Sequence, residues 1–265
     1  MRSLALEKVV VYLKAPAWRQ HAFGHALDWA ERLHVPLRGL IDNRVAGDAQ
    51  AQPAQQGFVT GDATFESSSW RTEPRLPCVA GALYVVADAN PELLLESARA
   101  GAPLLLCPDR PAPLRRLLVV VQDLAPDNPF LVSVARLCQA LDTRPVVLLV
   151  CRTERQTARL GYVEGLLDAL GVSADLDALV TSNATTALGQ VASWRNCSHI
   201  VIERDRPTSW WLRLRGDPLD RAREAAAGRP ILTLPRHAAL ELPKRTCLPA
   251  DSAWVPQARM RNSTP

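Results

Sequence analysis

Ala100-Gly101-Ala102-Pro103-Leu104-Leu105-Leu106-Cys107-Pro108 returns later in the chain as Ala227-Gly228-Arg229-Pro230-Ile231-Leu232-Thr233-Leu234-Pro235. In both stretches a helix-like run stops at a glycine and a proline restarts the chain in extended form. A short apolar strand then ends at a second proline. Self-similarity on this spacing is the mark of two copies of one unit, too far apart to be turns of a solenoid.

The flanking sequence fits the same plan. Each copy opens on a valine-rich run, Lys8 to Leu13 and Leu117 to Gln122. A helical stretch follows, Gln20 to His34 and Asn128 to Leu141, and then a second apolar run, Leu37 to Asp42 and Pro145 to Cys151. A further apolar run, Leu83 to Ala87 or His199 to Glu203, precedes each repeated ending. Continuous β-branched runs read as strands buried on both faces, as in a parallel sheet. Strand, helix, strand repeated twice predicts an α/β fold with right-handed crossovers. The expected architecture is two tandem flavodoxin-like or Rossmann-like domains with parallel five-stranded sheets, related by a pseudo-two-fold. Their last strands, Leu104–Cys107 and Ile231–Leu234, would pair across that axis. A single continuous sheet would count against two copies of one blueprint.

The copies differ after the fourth strand. Ala87 to Gly101 spans 14 positions and Glu203 to Gly228 spans 25, so the first copy lacks about 11 residues there. Ligands of open α/β sheets sit beyond the carboxyl ends of the strands, where this loop lies.

Composition sets outer bounds. A chain of 265 residues suits two domains, expected at 1–112 and 113–236, with a disordered tail over 237–265. Three of the four net positive charges fall from Arg236 onward, which leaves the folded halves near neutral and gives no footprint for nucleic acid. Apolar stretches stay below the roughly 18 residues of a membrane span, and the N-terminus reads as a first strand. The six cysteines, none in a CxxC pair, read as reduced core thiols of a cytoplasmic protein. Asn43 to Pro77 reads as a long loop.

The segment Ser198 to Arg221, together with the twin endings, resembles a tandem universal stress protein across about residues 5 to 236. In members of that family that bind ATP, Gly-x2-Gly-x9-Gly-Ser/Thr follows the fourth strand. Bare glycine backbone closes on phosphates there, and N–H groups at the next helix start hold the anion. On this chain the positions read Glu203, Arg206, Gly216 and Asp217, so the spacing is kept but only one glycine. The resemblance also implies a nucleoside-binding aspartate after the first strand. Lys14 stands there in the first half and Gln122 in the second, with Asp123 one position late. Val150, at the end of the second strand, completes the implied pocket. The resemblance therefore implies a bacterial regulatory or protective protein without turnover and with no resident cofactor, ATP binding being lost or weak. It further implies an intramolecular pseudo-dimer, with room for a further homodimer, that acts on an unknown protein partner. Trp210-Trp211 with Arg213 and Arg215 also resembles the stress-protein module of bacterial potassium-sensing histidine kinases. That points to the alternative of a nucleotide or cyclic-dinucleotide sensor.

Other constellations read more plainly. His21, His25, Asp28 and Arg32 share one helix face, which could hold a metal but is expected to be a solvated stripe beside an Ala22, Phe23, Ala26, Leu27, Ala30, Leu33 arc. Asp127-Asn128-Pro129 reads as a helix start with Asp127 or Asn128 as cap and Pro129 in the first turn; capping by the aspartate is the simpler use. No GxSxG, GxxxxGK[ST] or HExxH motif is present, so nothing assembles a nucleophile with its base.

Overall fold

The computed structural model describes residues 2–13, 21–42, 64–68, 78–79, 81–87, 97, 99–108, 110, 112–122, 124, 128–181, 184–204, 226 and 228–243. The N-terminal half contributes β1 (Arg2–Ala5), β2 (Lys8–Leu13), α1 (His21–Leu33), β3 (Leu37–Asp42), β4 (Thr64–Ser68), β5 (Ala82–Val86) and β6 (Leu104–Leu106). The C-terminal half contributes β7 (Leu117–Val121), α2 (Pro129–Leu141), β8 (Val146–Cys151), a 3-10 turn (Glu154–Arg159) and α3 (Leu160–Ala169). It continues through β9 (Asp175–Val180), α4 (Ala184–Trp194), β10 (His199–Arg204), β11 (Ile231–Pro235) and β12 (Ala238–Glu241).

Ten strands form one sheet in the order β4-β3-β2-β5-β6-β11-β10-β7-β8-β9. Neighbours are parallel everywhere except at β6–β11, which is antiparallel in the register Leu106↔Ile231, Leu105↔Leu232, Leu104↔Thr233. The two five-stranded sheets expected from the sequence are thus one continuous, mostly parallel sheet. Read outward from β6 and from β11, the strands follow the same chain order, and polarity reverses where the two runs meet.

The valine-rich runs form strands because both faces are covered. Val9, Val11, Val119, Val121 and Val201 line one face under α1 and α2. Val10, Val120, Leu148 and Ile200 line the other, with Leu188 and Ala192 of α4. Each such side chain contributes roughly 1.5–3 kcal/mol relative to exposure.

Three segments depart from the expected plan. Thr64–Ser68, inside the stretch read as a loop, pairs parallel with β3 as an outer strand. Its Thr-Phe-Glu-Ser-Ser sequence lacks the unbroken apolar run that marks a central strand. The N-terminal strand is broken at Leu6 and Glu7, and its first part, β1, leaves the main sheet. Residues 238–241, placed in a disordered tail, instead form β12, which pairs parallel with β1. Ala239 and Leu240 are buried, the Leu240 N–H donates to Ser133 Oγ at 2.8 Å, and Arg136 donates to the Leu240 carbonyl at 2.9 Å. An apolar pair with a ready hydroxyl on α2 is enough to order the first residues after β11; residues 244–265 lie outside the described residues.

Both repeat glycines hold a left-handed conformation, Gly101 at φ 67° and Gly228 at φ 73°. A Cβ at Gly101 meets nothing within 4 Å, whereas one at Gly228 would stand 2.7 Å from an Arg110 guanidinium nitrogen. Gly101→Ala should therefore cost about 1 kcal/mol in urea unfolding from backbone strain alone. Gly228→Ala should cost more, because it also pushes Arg110 off the Gly228 carbonyl it holds at 3.2 Å.

Candidate functional site

The site anticipated in the C-terminal half lies at the carboxyl ends of β7, β8 and β10, three adjacent parallel strands. Gln122 follows β7 and is exposed, and Val150 near the end of β8 is half-buried. Glu203 lies on β10 opposite Leu234. Strand alternation puts Glu203 on the sheet face of Val201 and Leu234, and Val150 on the face of Val146 and Leu148. The structure thus brings these residues to one end of the sheet but not onto one surface. Asp123, Arg206, Gly216 and Asp217 lie outside the described residues, as do Lys14, Trp210, Trp211, Arg213 and Arg215.

What Glu203 does meet is Arg236. The Arg236 Nε stands 3.5 Å from Glu203 Oε1, and the Glu203 side chain is only 11% exposed. The Arg236 N–H also donates to the Arg204 carbonyl at 3.1 Å, so β11 ends by clasping β10. Sequence reading set Arg236 as the last residue of the second unit and counted its charge with the tail, with no partner assigned to it. Arg204 reaches the other half, donating to Ser97 Oγ at 3.2 Å.

The helix start beside the site is capped by Asn128; Asp127, the expected cap, lies outside the described residues. Asn128 is extended at φ −66°, ψ 98°, its side-chain oxygen accepts the Phe130 N–H at 3.1 Å, and Pro129 takes the first helical position. Asparagine caps as well as aspartate does, and here it sits next to the proline whose missing N–H needs no partner. Among the described residues, the Asn128 Nδ2 is buried without a hydrogen-bond partner.

The opposite end of the sheet is held by ion pairs. Asp175 on the edge strand β9 is held below the usual carboxylate range by its hydrogen bond from Arg116, with Arg144 adding to the effect at 2.5 Å. Arg195 grips Asp177 at 2.6 Å through Nε. Charged groups along an outer strand also discourage pairing with another chain.

Elsewhere, chemistry is sparse. Cys107, Cys138, Cys151 and Cys197 are buried and unbridged. Burial pushes the Cys138 thiol up to about 12 and that of Cys197 to about 11, the wrong direction for a nucleophile. The helix face read as a solvated stripe is corrected in one respect. His25 is buried, because the apolar arc of α1 centres on Ala22, Ala26, Trp29, Ala30 and Leu33 and His25 falls inside it. Among the described residues no group of three or more His, Cys, Asp or Glu could hold a metal ion, and no helix is long and apolar enough to cross a membrane.

Neither a protein-family model nor a curated protein matches the chain. Solved structures do. A universal stress protein from Archaeoglobus fulgidus DSM 4304 aligns with TM-score 0.58 and 10% identity, over 86% of this chain and 96% of that one. A functionally unknown protein from Pseudomonas aeruginosa PAO1 gives 0.57 and 15%, over 87% and 93%. A putative universal stress protein from Pseudomonas aeruginosa UCBPP-PA14 gives 0.56 and 13%, also over 87% and 93%. At such identities the likeness is one of architecture: the chain has the α/β fold of the universal stress proteins.

The Glu203–Arg236 contact has a measurable consequence. In a double-mutant cycle of Glu203→Gln and Arg236→Ala, urea unfolding should show a coupling of about 1 kcal/mol, as for a half-buried pair. A coupling indistinguishable from zero would remove the clasp from the account of this strand end.

Proposed function

We propose that this chain is a tandem universal-stress-type protein with a regulatory or protective role, acting through binding and not turnover, with ATP binding lost or weak. On this reading, residues 1–112 and 113–236 are two copies of one unit related by a two-fold, a dimer folded into one cytoplasmic chain that serves a protein partner. Support comes from the twin strand endings, from the shared strand order on either side of β6–β11, and from the length over which stress-protein structures align.

The observation that carries the loss of ATP binding is Glu203. At the strand end where a bare glycine would let phosphate reach the backbone, a mostly buried carboxylate stands engaged with Arg236. A triphosphate arriving there meets side-chain bulk and negative charge, and at 4 Å two unit charges repel by roughly 4 kcal/mol near a protein surface. Asp217, the residue directly after Gly216, adds a second anion in the sequence.

The second reading is a nucleotide or cyclic-dinucleotide sensor using Arg206, Gly216 and the Trp210-Trp211 segment. It is favoured by the unpartnered Asn128 Nδ2 at the start of α2, a polar group that a ligand would satisfy.

Melting temperature followed against ATP, AMP and cyclic dinucleotides separates the two. The proposal expects no shift at micromolar ligand and no ATP hydrolysis above that of a Gly216→Val control. A shift at micromolar ligand that Arg206→Ala abolishes would overturn it in favour of the sensor.

A further inference from the structure

Two histidines distant in sequence meet in the core, away from the strand-end site. His25 comes from α1 and His199 opens β10, and they are 5% and 0% exposed. Their ring centroids lie 6.1 Å apart at an interplanar angle of 78°, and Trp29 of α1 lies 5.9 Å from His199. One ring belongs to the N-terminal half and the other to the C-terminal half.

Burial, rather than their hydrogen bonds, keeps both rings neutral. His25 Nε2 donates to the Arg110 carbonyl at 3.3 Å, and Arg110 in turn donates to the Gly228 carbonyl, so this contact also bridges the halves. Ser198 Oγ accepts the Arg115 and Arg116 N–H groups and lies 3.1 Å from the Arg116 carbonyl. His199 Nδ1 lies 3.1 Å from that same hydroxyl, and the ring tautomer sets which of the two donates. Among the described residues, His199 Nε2 and Trp29 Nε1 are buried without a hydrogen-bond partner.

A proton added to the His199 ring would put a full charge in a dry site facing His25. The surroundings offer little relief. On α1, His21 and Arg32 add positive charge, and the Asp28 carboxylate is already bound by Arg32 at 2.8 Å. On the packed helix α2, Arg136 is engaged with the Leu240 carbonyl.

We propose that the His25–His199 contact is an acid-sensitive latch: neutral, it keeps α1 of the N-terminal half on β10 of the C-terminal half, and charged, it releases them. Burial lowers the affinity of His25 for a proton, and burial with the nearby His25 and Arg32 brings His199 down to about 3. Because both values are depressed in the closed form, the closing contribution is complete above the ordinary histidine value of about 6.5 and is lost as pH falls below it. Release should grow by up to about tenfold per pH unit from His199, and His25 steepens it in the same direction.

Hydrogen exchange on the full chain, corrected for intrinsic rates, tests this between pH 6.5 and 5. Amides of α1 and β10 should open roughly tenfold or more over this range, while those of α3 and β8 hold steady. His199→Leu should make that slope clearly shallower. An NMR titration of the unmodified chain keeps the test decisive if that variant fails to fold. Ring signals of His25 and His199 that titrate near 6.5 with α1 still protected, or α1 exchange that is flat with pH, would overturn the latch.

Discussion

The structure depends on a three-residue pairing at its centre. Leu104-Leu105-Leu106 and Ile231-Leu232-Thr233 run antiparallel, all within the core, and the Thr233 hydroxyl reaches the Leu104 carbonyl at 3.4 Å. Either strand alone would be a short apolar edge with unpaired backbone, a liability that proteins cover. Covering each with the other turns two five-stranded runs into ten strands without leaving an exposed edge at the middle. Antiparallel joining within one sheet also keeps corresponding helices on the same face. That is why α1 and α2 share a core, and why a histidine from α1 can reach β10.

The chain ends reinforce this arrangement. β12 follows β11 after Pro235, lies along α2 and pairs with β1, so the last described strand of the C-terminal half holds the first described strand of the N-terminal half. The Leu6 N–H donates to the Glu241 carbonyl at 2.7 Å where the ribbon finishes. The halves are therefore joined at the strand pairing, at the terminal ribbon and at the histidine contact. Only the first was anticipated from the repeat.

Legibility in the sequence followed burial. Lys8–Leu13, Leu117–Val121 and Val146–Cys151 were readable because strands covered on both faces are written as unbroken apolar runs. β4 and β9 escaped because outer strands need no such run; β9 alternates Asp175 and Asp177 with apolar neighbours. β12 was hidden inside a polar, proline-rich tail and is held by Ser133 and Arg136, partners more than 100 positions away. His25 was assigned to solvent by residue type, although its position three after Ala22 and four before Trp29 places it in the buried arc. For the site, the departure from the glycine pattern at Glu203 was plain in the sequence, whereas its partner Arg236 was not. The continuity of the sheet was counted in advance against duplication; polarity nevertheless reverses at β6–β11, with like strand order on either side.

The most direct measurement is the set of cross-strand NOEs between residues 104–106 and 231–233 in the labelled full-length chain. Two copies joined at their last strands predict contacts of 104 with 233, 105 with 232 and 106 with 231. Contacts in the opposite sense, 104 with 231 and 106 with 233, would mean a parallel junction and no two-fold. The absence of any contact between these strands would contradict the account equally.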